Sequence, residues 1–231
     1  MLTGMERRHF IAAASIALAV GLCDVALAQP ATASQPKAAP VGDTILVIGD
    51  SLSAEYGLTR GSGWVALMGK RLAESKVPAR VVNASISGDT TSGGRSRLLP
   101  LLAQHKPTIV VIELGGNDAL RGLPIKMTQD NLMQMAQAAQ KAGARVLIVG
   151  MQVPPNYGGD YARQFGAMFD KVARDAKAAL VPFLLKGVAD VAEPLSMFQR
   201  DRIHPLEAAH PQMLDNVWPE LKKLLHGAAR K

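Results

Sequence analysis

Short runs of apolar residues alternate along the chain with longer segments whose apolar residues recur at helical spacing. Five runs are almost continuously apolar, as expected for parallel strands covered on both faces of a sheet. These predicted strands are residues 44–48, 79–83, 108–114, 144–150 and 180–184. The pattern therefore predicts a parallel sheet of about five strands.

Helical segments separate the predicted strands, which is the order expected of right-handed β-α-β units. The predicted helices are residues 64–75, 91–105, 128–142, 161–177 and about 206–225. Pro205 is expected at the first position of the last helix. The fold class is therefore α/β: a single three-layer α/β/α domain with the flavodoxin-like strand order 2-1-3-4-5. In that order, the ligand crevice opens at the carboxyl ends of strands 1 and 3.

Residues 1–28 have the pattern of a secretory signal peptide. A positively charged start is followed by an apolar segment at residues 10–22 and by an Ala-Leu-Ala cleavage site that ends at Ala28. The apolar segment is shorter than the roughly 20 residues that span a bilayer. The sequence thus predicts a periplasmic or secreted protein, exported by the general or the twin-arginine route. Residues 29–42 are then a flexible leader, and residues 43–231 are the folded domain.

Composition and charge argue against several classes of function. Cys23 is the only cysteine and lies within the predicted signal, so the mature chain would have no disulfide and no cysteine metal site. The net charge is +7, but the basic residues are scattered, which does not favour nucleic-acid binding. The charge is compatible with anionic lipids or acyl carriers. Walker, H-E-x-x-H and G-x-S-x-G motifs are absent from the sequence, and we expect neither a cofactor nor a metal ion.

Polar, glycine-containing turns follow the first three predicted strands. Ser51 follows the first strand in GDSLS, Gly88 follows the second in SGDT, and Asn117 follows the third in GGND. Taken singly, each is typical of a helix cap or a tight turn. Because the carboxyl ends of neighbouring parallel strands meet at one edge, we expect the three turns to lie together where such folds bind ligands. The neighbouring Asp50 and Asp118 are interpreted as structural acceptors.

A histidine with a nearby carboxylate lies towards the other end of the domain. In RDRIHP, Asp201 precedes His204 by three residues, and on a turn two such side chains share a face. Asp201 can then accept a hydrogen bond from His204 Nδ1, which leaves Nε2 to act as a base for a serine nucleophile. A solitary D-x-x-H is otherwise typical of a surface loop. Acyl transfer also needs oxyanion donors, for which the N–H groups of Ser51 and Gly88 and the side chain of Asn117 are candidates.

Four blocks, GDSLS, NASISGDTT, GGND and DRIHP, resemble in order and spacing the signature of the SGNH, or GDSL, hydrolases. The resemblance covers nearly the whole mature chain and extends to the branch that contains periplasmic thioesterase I, also called lysophospholipase or arylesterase. It implies that Ser51 is the nucleophile, that His204 is the general base and that Asp201 is the partner of His204. It also implies an oxyanion hole formed by Ser51, Gly88 and Asn117. Glu55 stands where many members have a small residue, and Arg202 stands where glycine is common.

The predicted activity is hydrolysis of carboxylic esters and thioesters through an acyl-Ser51 intermediate. The expected partner is a small-molecule acyl ester or thioester, lysophospholipids among them, without stable membrane insertion. Four apolar loop residues either line an acyl groove or serve ordinary loop packing: Leu120, Leu123, Val153 and Pro154. Two alternatives remain open: a carbohydrate O-acetylesterase with a small acyl pocket, and a non-catalytic protein that binds acyl groups or lipids.

Overall fold

All five predicted strands are present and form one parallel sheet. The computed structural model describes residues 42–225, so the predicted signal peptide and almost all of the leader lie outside the described residues. The strands lie in the order β2-β1-β3-β4-β5, which confirms the flavodoxin-like arrangement. Their bounds are β1 (Asp43–Gly49), β2 (Ala79–Asn83), β3 (Ile109–Glu113), β4 (Arg145–Val149) and β5 (Ala179–Val181).

Helices cover both faces of the sheet and complete the predicted three layers. Their bounds are α1 (Trp64–Glu74), α2 (Thr91–His105), α3 (Gly116–Leu120), α4 (Ile125–Lys141), α5 (Gly159–Ala176) and α6 (His210–Leu224). Helix α4 packs between α2 and α5 on one face, and α1 packs against α6 on the other. Within residues 42–225, no helix combines the length and the apolar character needed to cross a membrane.

Burial of the two central strands, β1 and β3, explains why their sequences are continuously apolar. Every residue of β1 and β3 is buried. Trp64 on α1 closes over the core, as do Phe165 and Phe169 on α5. The turns that follow β1 and β3 therefore extend from the most rigidly packed part of the molecule, which is where precise side-chain geometry is easiest to maintain.

The last helix begins later than the sequence predicts. It starts at His210 with Pro211 in its first turn, so the prediction that Pro205 begins this helix is wrong. Pro205 instead lies in an isolated antiparallel bridge. The reason is long-range: the Leu206 N–H donates to the Met197 carbonyl at 2.8 Å and holds this segment extended.

Smaller differences from the predicted elements occur elsewhere along the chain. Strand β5 ends at Val181 because the next residue, Pro182, has no N–H to donate. Helix α4 begins at Ile125, three residues before the predicted start. The residues after the third strand form the short helix α3, which the apolar pattern does not predict.

Candidate active site

The first strand ends in a tight turn that carries Ser51. The N–H groups of Ser53 and Ala54 both donate to the Asp50 carbonyl, at 3.2 and 2.9 Å. The Asp50 carboxylate accepts from the Leu52 N–H at 3.0 Å. These bonds end the extended conformation within a few residues and place Ser51 at the carboxyl edge of the sheet. Asp50 thus stabilises the turn, as predicted.

His204 and Asp201 lie beside Ser51, although 153 positions separate His204 from Ser51 along the chain. Ser51 Oγ lies 2.9 Å from His204 Nε2, and Asp201 Oδ2 lies 2.7 Å from His204 Nδ1. An ionised carboxylate can only accept, so Nδ1 carries the proton, and the unprotonated Nε2 of a neutral ring accepts from the Ser51 hydroxyl. This arrangement can remove a proton from Ser51.

The Asp201 carboxylate is fixed by its own turn. Its Oδ1 accepts from the N–H groups of Ile203 and His204 at 2.9 and 3.0 Å. The His204 backbone bond is the main cause that lowers the pKa of Asp201 to about 2, so Asp201 is ionised at neutral pH. Arg202 has a left-handed φ of 59°, which favours glycine. No described contact joins Arg202 to the Asp201 carboxylate.

Two residues outside the sequence motifs hold the His204 segment against the Ser51 turn. Gln199 donates through its backbone N–H to the His204 carbonyl at 2.7 Å. Its side-chain amide donates to the carbonyls of Tyr56 and Pro205, at 2.9 and 3.1 Å. The Tyr56 ring packs against the His204 imidazole, with ring centroids 4.3 Å apart. Neither Gln199 nor Tyr56 is predicted from the sequence, because the contacts that Tyr56 makes with Gln199 and His204 span more than 140 residues.

Potential oxyanion donors lie in the turns and on the short helix that follow β1, β2 and β3. Asn117 is on the short helix α3, and its side-chain amide donates one hydrogen bond to Asp50 Oδ2 at 3.0 Å. Gly88 has a φ of 78°, a conformation that glycine adopts without strain. Within residues 42–225, the N–H groups of Ser51 and Gly88 have no hydrogen-bond acceptor. These donors are therefore available to a substrate oxygen.

Two further carboxylates near the site are structural. Asp118 is fully buried and accepts from both the N–H and the hydroxyl of Thr91, which anchors the start of α2, as predicted for this residue. Glu55 accepts from the N–H groups of Gly61 and Gly63 at 3.0 and 2.8 Å, next to the start of α1. Glu55 therefore replaces a small residue of the family pattern with a side chain that binds the loop before α1.

Another histidine near α1 also has a structural contact. His210 is 2% exposed, and its Nδ1 accepts from the Trp64 N–H at 3.1 Å. Burial lowers the pKa of His210, consistent with a neutral acceptor. In the part of the chain that the structure describes, no cluster of three or more His, Cys, Asp or Glu side chains has the arrangement of a metal site.

The residues predicted to line an acyl groove lie at the end of α3, in the loop after it and in the loop after β4, at the carboxyl edge of the sheet. Leu120 and Pro154 are exposed, whereas Leu123 and Val153 are half-buried. Arg121 Nη2 donates to the Gly88 carbonyl at 2.8 Å, which holds the Leu120–Leu123 loop beside the candidate oxyanion donors. Val153 packs against the hydrophobic core.

The fold and the side chains at its carboxyl edge define a serine hydrolase, in which a serine, a histidine and an aspartate are linked by hydrogen bonds. The model of the GDSL-like Lipase/Acylhydrolase family matches residues 47–211. The chain belongs to this family, which confirms the resemblance seen in its four sequence blocks.

Named relatives and a solved structure agree with this assignment. Esterase TesA of Pseudomonas aeruginosa is 56% identical over 182 residues, which cover 79% of this chain and 89% of that protein. Thioesterase 1/protease 1/lysophospholipase L1 of Escherichia coli K12 is 40% identical over 188 residues, 81% of this chain and 88% of that protein. A crystal structure of TesA is 55% identical with a TM-score of 0.76, covering 79% of this chain and 99% of that one. The fold class is therefore confirmed.

Proposed function

We propose that the protein hydrolyses carboxylic esters and thioesters through an acyl intermediate on Ser51, with His204 as the general base and Asp201 as its partner. The observation that supports these roles most directly is the chain of contacts from Asp201 Oδ2 through His204 to Ser51 Oγ, at 2.7 and 2.9 Å. A serine hydroxyl is a weak nucleophile until such a base accepts its proton. The related proteins carry the names of an esterase and of a thioesterase and lysophospholipase.

The reaction proceeds in two acyl transfers. Ser51 Oγ attacks the carbonyl carbon of the substrate while His204 Nε2 takes the hydroxyl proton. The tetrahedral intermediate collapses, its bond to the alcohol or thiol breaks, and His204 returns the proton to that leaving group. A water molecule, deprotonated by His204, then attacks the carbonyl carbon of the acyl-Ser51 ester. The bond from that carbon to Ser51 Oγ breaks, His204 returns the proton to Ser51, and the carboxylic acid is released. Asp201 stays ionised and stabilises the imidazolium that forms in each half-reaction.

We assign the oxyanion hole to the N–H groups of Ser51 and Gly88 and to the Asn117 side chain. Asn117→Ala should lower kcat by about 10²- to 10³-fold with little change in KM, because a donor of this kind acts mainly in the transition state. The measurement is steady-state hydrolysis of p-nitrophenyl butyrate. Asn131→Ala, which removes a buried amide bound to the Thr91 hydroxyl on α2, is the control and should retain kcat. A near-normal kcat in Asn117→Ala would contradict the assignment.

We propose lysophospholipids or exogenous esters, rather than acyl-CoA, as the substrates. Residues 1–28 are proposed to direct export. Because acyl-CoA is not an expected substrate outside the cytoplasm, export argues against it. The net charge of +7 also favours substrates presented at anionic surfaces. Hydrolysis of lysophosphatidylglycerol and of an acyl-CoA by the purified protein compares the two classes directly.

We propose that Leu123 helps to line the acyl groove. Leu123→Ala should lower kcat/KM for p-nitrophenyl palmitate by about tenfold and leave p-nitrophenyl acetate within about twofold, because only the long chain buries apolar area against this side chain. Leu99→Ala removes an exposed leucine on α2 and is the matched control. An equal effect on both chain lengths would instead indicate loop packing. Wild-type activity restricted to acetyl esters would favour a carbohydrate O-acetylesterase.

A further inference from the structure

A pair of buried carboxyl groups lies below the Ser51 turn and takes no part in the hydrogen-bond chain of the triad. Asp50 is 3% exposed and Glu113 is fully buried. Glu113 is the last residue of β3 and lies opposite Gly49 in the sheet register. The Asp50 N–H points to Glu113 Oε2 at 3.4 Å, so the two residues share one polar pocket under the turn.

Asp50 determines which way the Asn117 amide faces. Asp50 Oδ1 is occupied by the Leu52 N–H at 3.0 Å, and Asp50 Oδ2 accepts from Asn117 Nδ2 at 3.0 Å. An ionised carboxylate can only accept, so the amide must turn its NH₂ group, and not its carbonyl oxygen, towards Asp50. One N–H of Asn117 is then bound to Asp50, and the other is left for a substrate oxygen.

Glu113 leaves the negative charge of the pair on Asp50. Glu113 Oε2 accepts from the Ser53 hydroxyl at 2.7 Å, and Oε1 has no partner within residues 42–225. Burial, and then the charge of Asp50, raise the pKa of Glu113 well above its usual range, which favours the neutral form of Glu113. Burial raises the pKa of Asp50 to about 6, which leaves it ionised above that pH. A single negative charge on the pair is therefore favoured on Asp50, the group that faces Asn117.

We propose that Asp50 is a positioning residue for ester hydrolysis, whose carboxylate orients the Asn117 amide towards the developing oxyanion. The inference rests on the proposed role of Asn117 in the oxyanion hole. Asp50 does not touch the substrate. Its main effect on turnover passes through the Asn117 side chain, although its charge also acts on His204. This effect through Asn117 distinguishes Asp50 from a residue that only stabilises the turn.

A double-mutant cycle tests this inference. Asp50→Asn keeps the side-chain shape and an acceptor for Leu52 but places an NH₂ group against Asn117, so the Asn117 amide turns away from the substrate. In wild-type protein, Asp50→Asn should lower kcat for p-nitrophenyl butyrate by about 10- to 100-fold with little change in KM. In the Asn117→Ala background, the same substitution should lower kcat by less than about threefold, because the group it acts through is gone.

The cycle has a matched control and separable outcomes. Asp43 is also a buried aspartate and lies at the start of β1. Asp43→Asn should leave kcat unchanged in both backgrounds. An equal loss from Asp50→Asn in both backgrounds would overturn the positioning role while leaving the oxyanion role of Asn117 intact. A normal kcat in Asn117→Ala alone would overturn the proposed oxyanion hole itself.

A measurement on the wild-type protein covers the case in which Asp50→Asn does not fold. In a ¹⁵N-labelled sample, the Asn117 side-chain amide is the signal that is lost in Asn117→Ala. One of its two protons should be shifted downfield and exchange slowly with water, because it is bound to a buried carboxylate. Two protons of similar shift and rapid exchange would overturn the inference.

Discussion

Ser51→Ala is expected to lower kcat by about 10⁵- to 10⁶-fold, the scale found when a serine hydrolase loses its nucleophile. The substitution removes the atom that would carry the acyl group, and the 2.9 Å contact with His204 disappears with it. Neither the oxyanion donors nor the substrate-binding loops depend on that oxygen, so KM should change far less. The measurement is hydrolysis of p-nitrophenyl butyrate by purified protein.

The control for this substitution is a serine elsewhere on the surface. Ser92 is exposed on α2, and Ser92→Ala should retain full activity. Thermal unfolding should give a Tm close to wild type for both variants, since neither hydroxyl supports the core. A Ser51→Ala protein that folds normally and keeps more than about 1% of kcat would rule out Ser51 as the nucleophile.

His204→Ala should reduce kcat about as much as Ser51→Ala, because the two side chains act as one unit. Without the imidazole, no described group accepts the Ser51 proton. The double variant Ser51→Ala/His204→Ala should therefore be no slower than either single variant. The measurement is the rate of p-nitrophenyl butyrate hydrolysis in all three proteins.

His105→Ala provides a matched control for the loss of an imidazole. His105 is half-buried at the end of α2 and should be dispensable for turnover. If the losses in Ser51→Ala and His204→Ala instead multiply in the double variant, the two residues act independently, and the proposed proton transfer between them is wrong.

The strands were predictable because burial on both faces leaves a strong sequence signal, and the strand order followed from the flavodoxin-like fold class. Continuous apolar runs identify β1 and β3 without reference to any other part of the chain. The start of α6 was not predictable in this way. Pro205 suits a helix start locally, but backbone pairing between Leu206 and Met197 holds it extended, and such pairing has no local pattern.

The candidate site shows the same division between motif residues and supporting residues. Ser51 and His204 lie in short motifs whose order along the chain predicted that they would meet. Gln199 and Tyr56, which fix the position of His204, depend on contacts that form only after folding. Glu113 did leave a signal, since a carboxyl group inside the apolar run TIVVIEL indicates a buried ionisable side chain that needs a partner.

The most direct test of Ser51 as the nucleophile is covalent labelling by a fluorophosphonate followed by tandem mass spectrometry of tryptic peptides. The Ser51 oxygen should displace fluoride from phosphorus, giving one adduct on the peptide of residues 38–60, located at Ser51 and not at Ser53. His204→Ala protein should remain unlabelled under the same conditions. An adduct on any other serine, or no adduct on the folded wild-type protein, would contradict the assignment of Ser51 as the nucleophile.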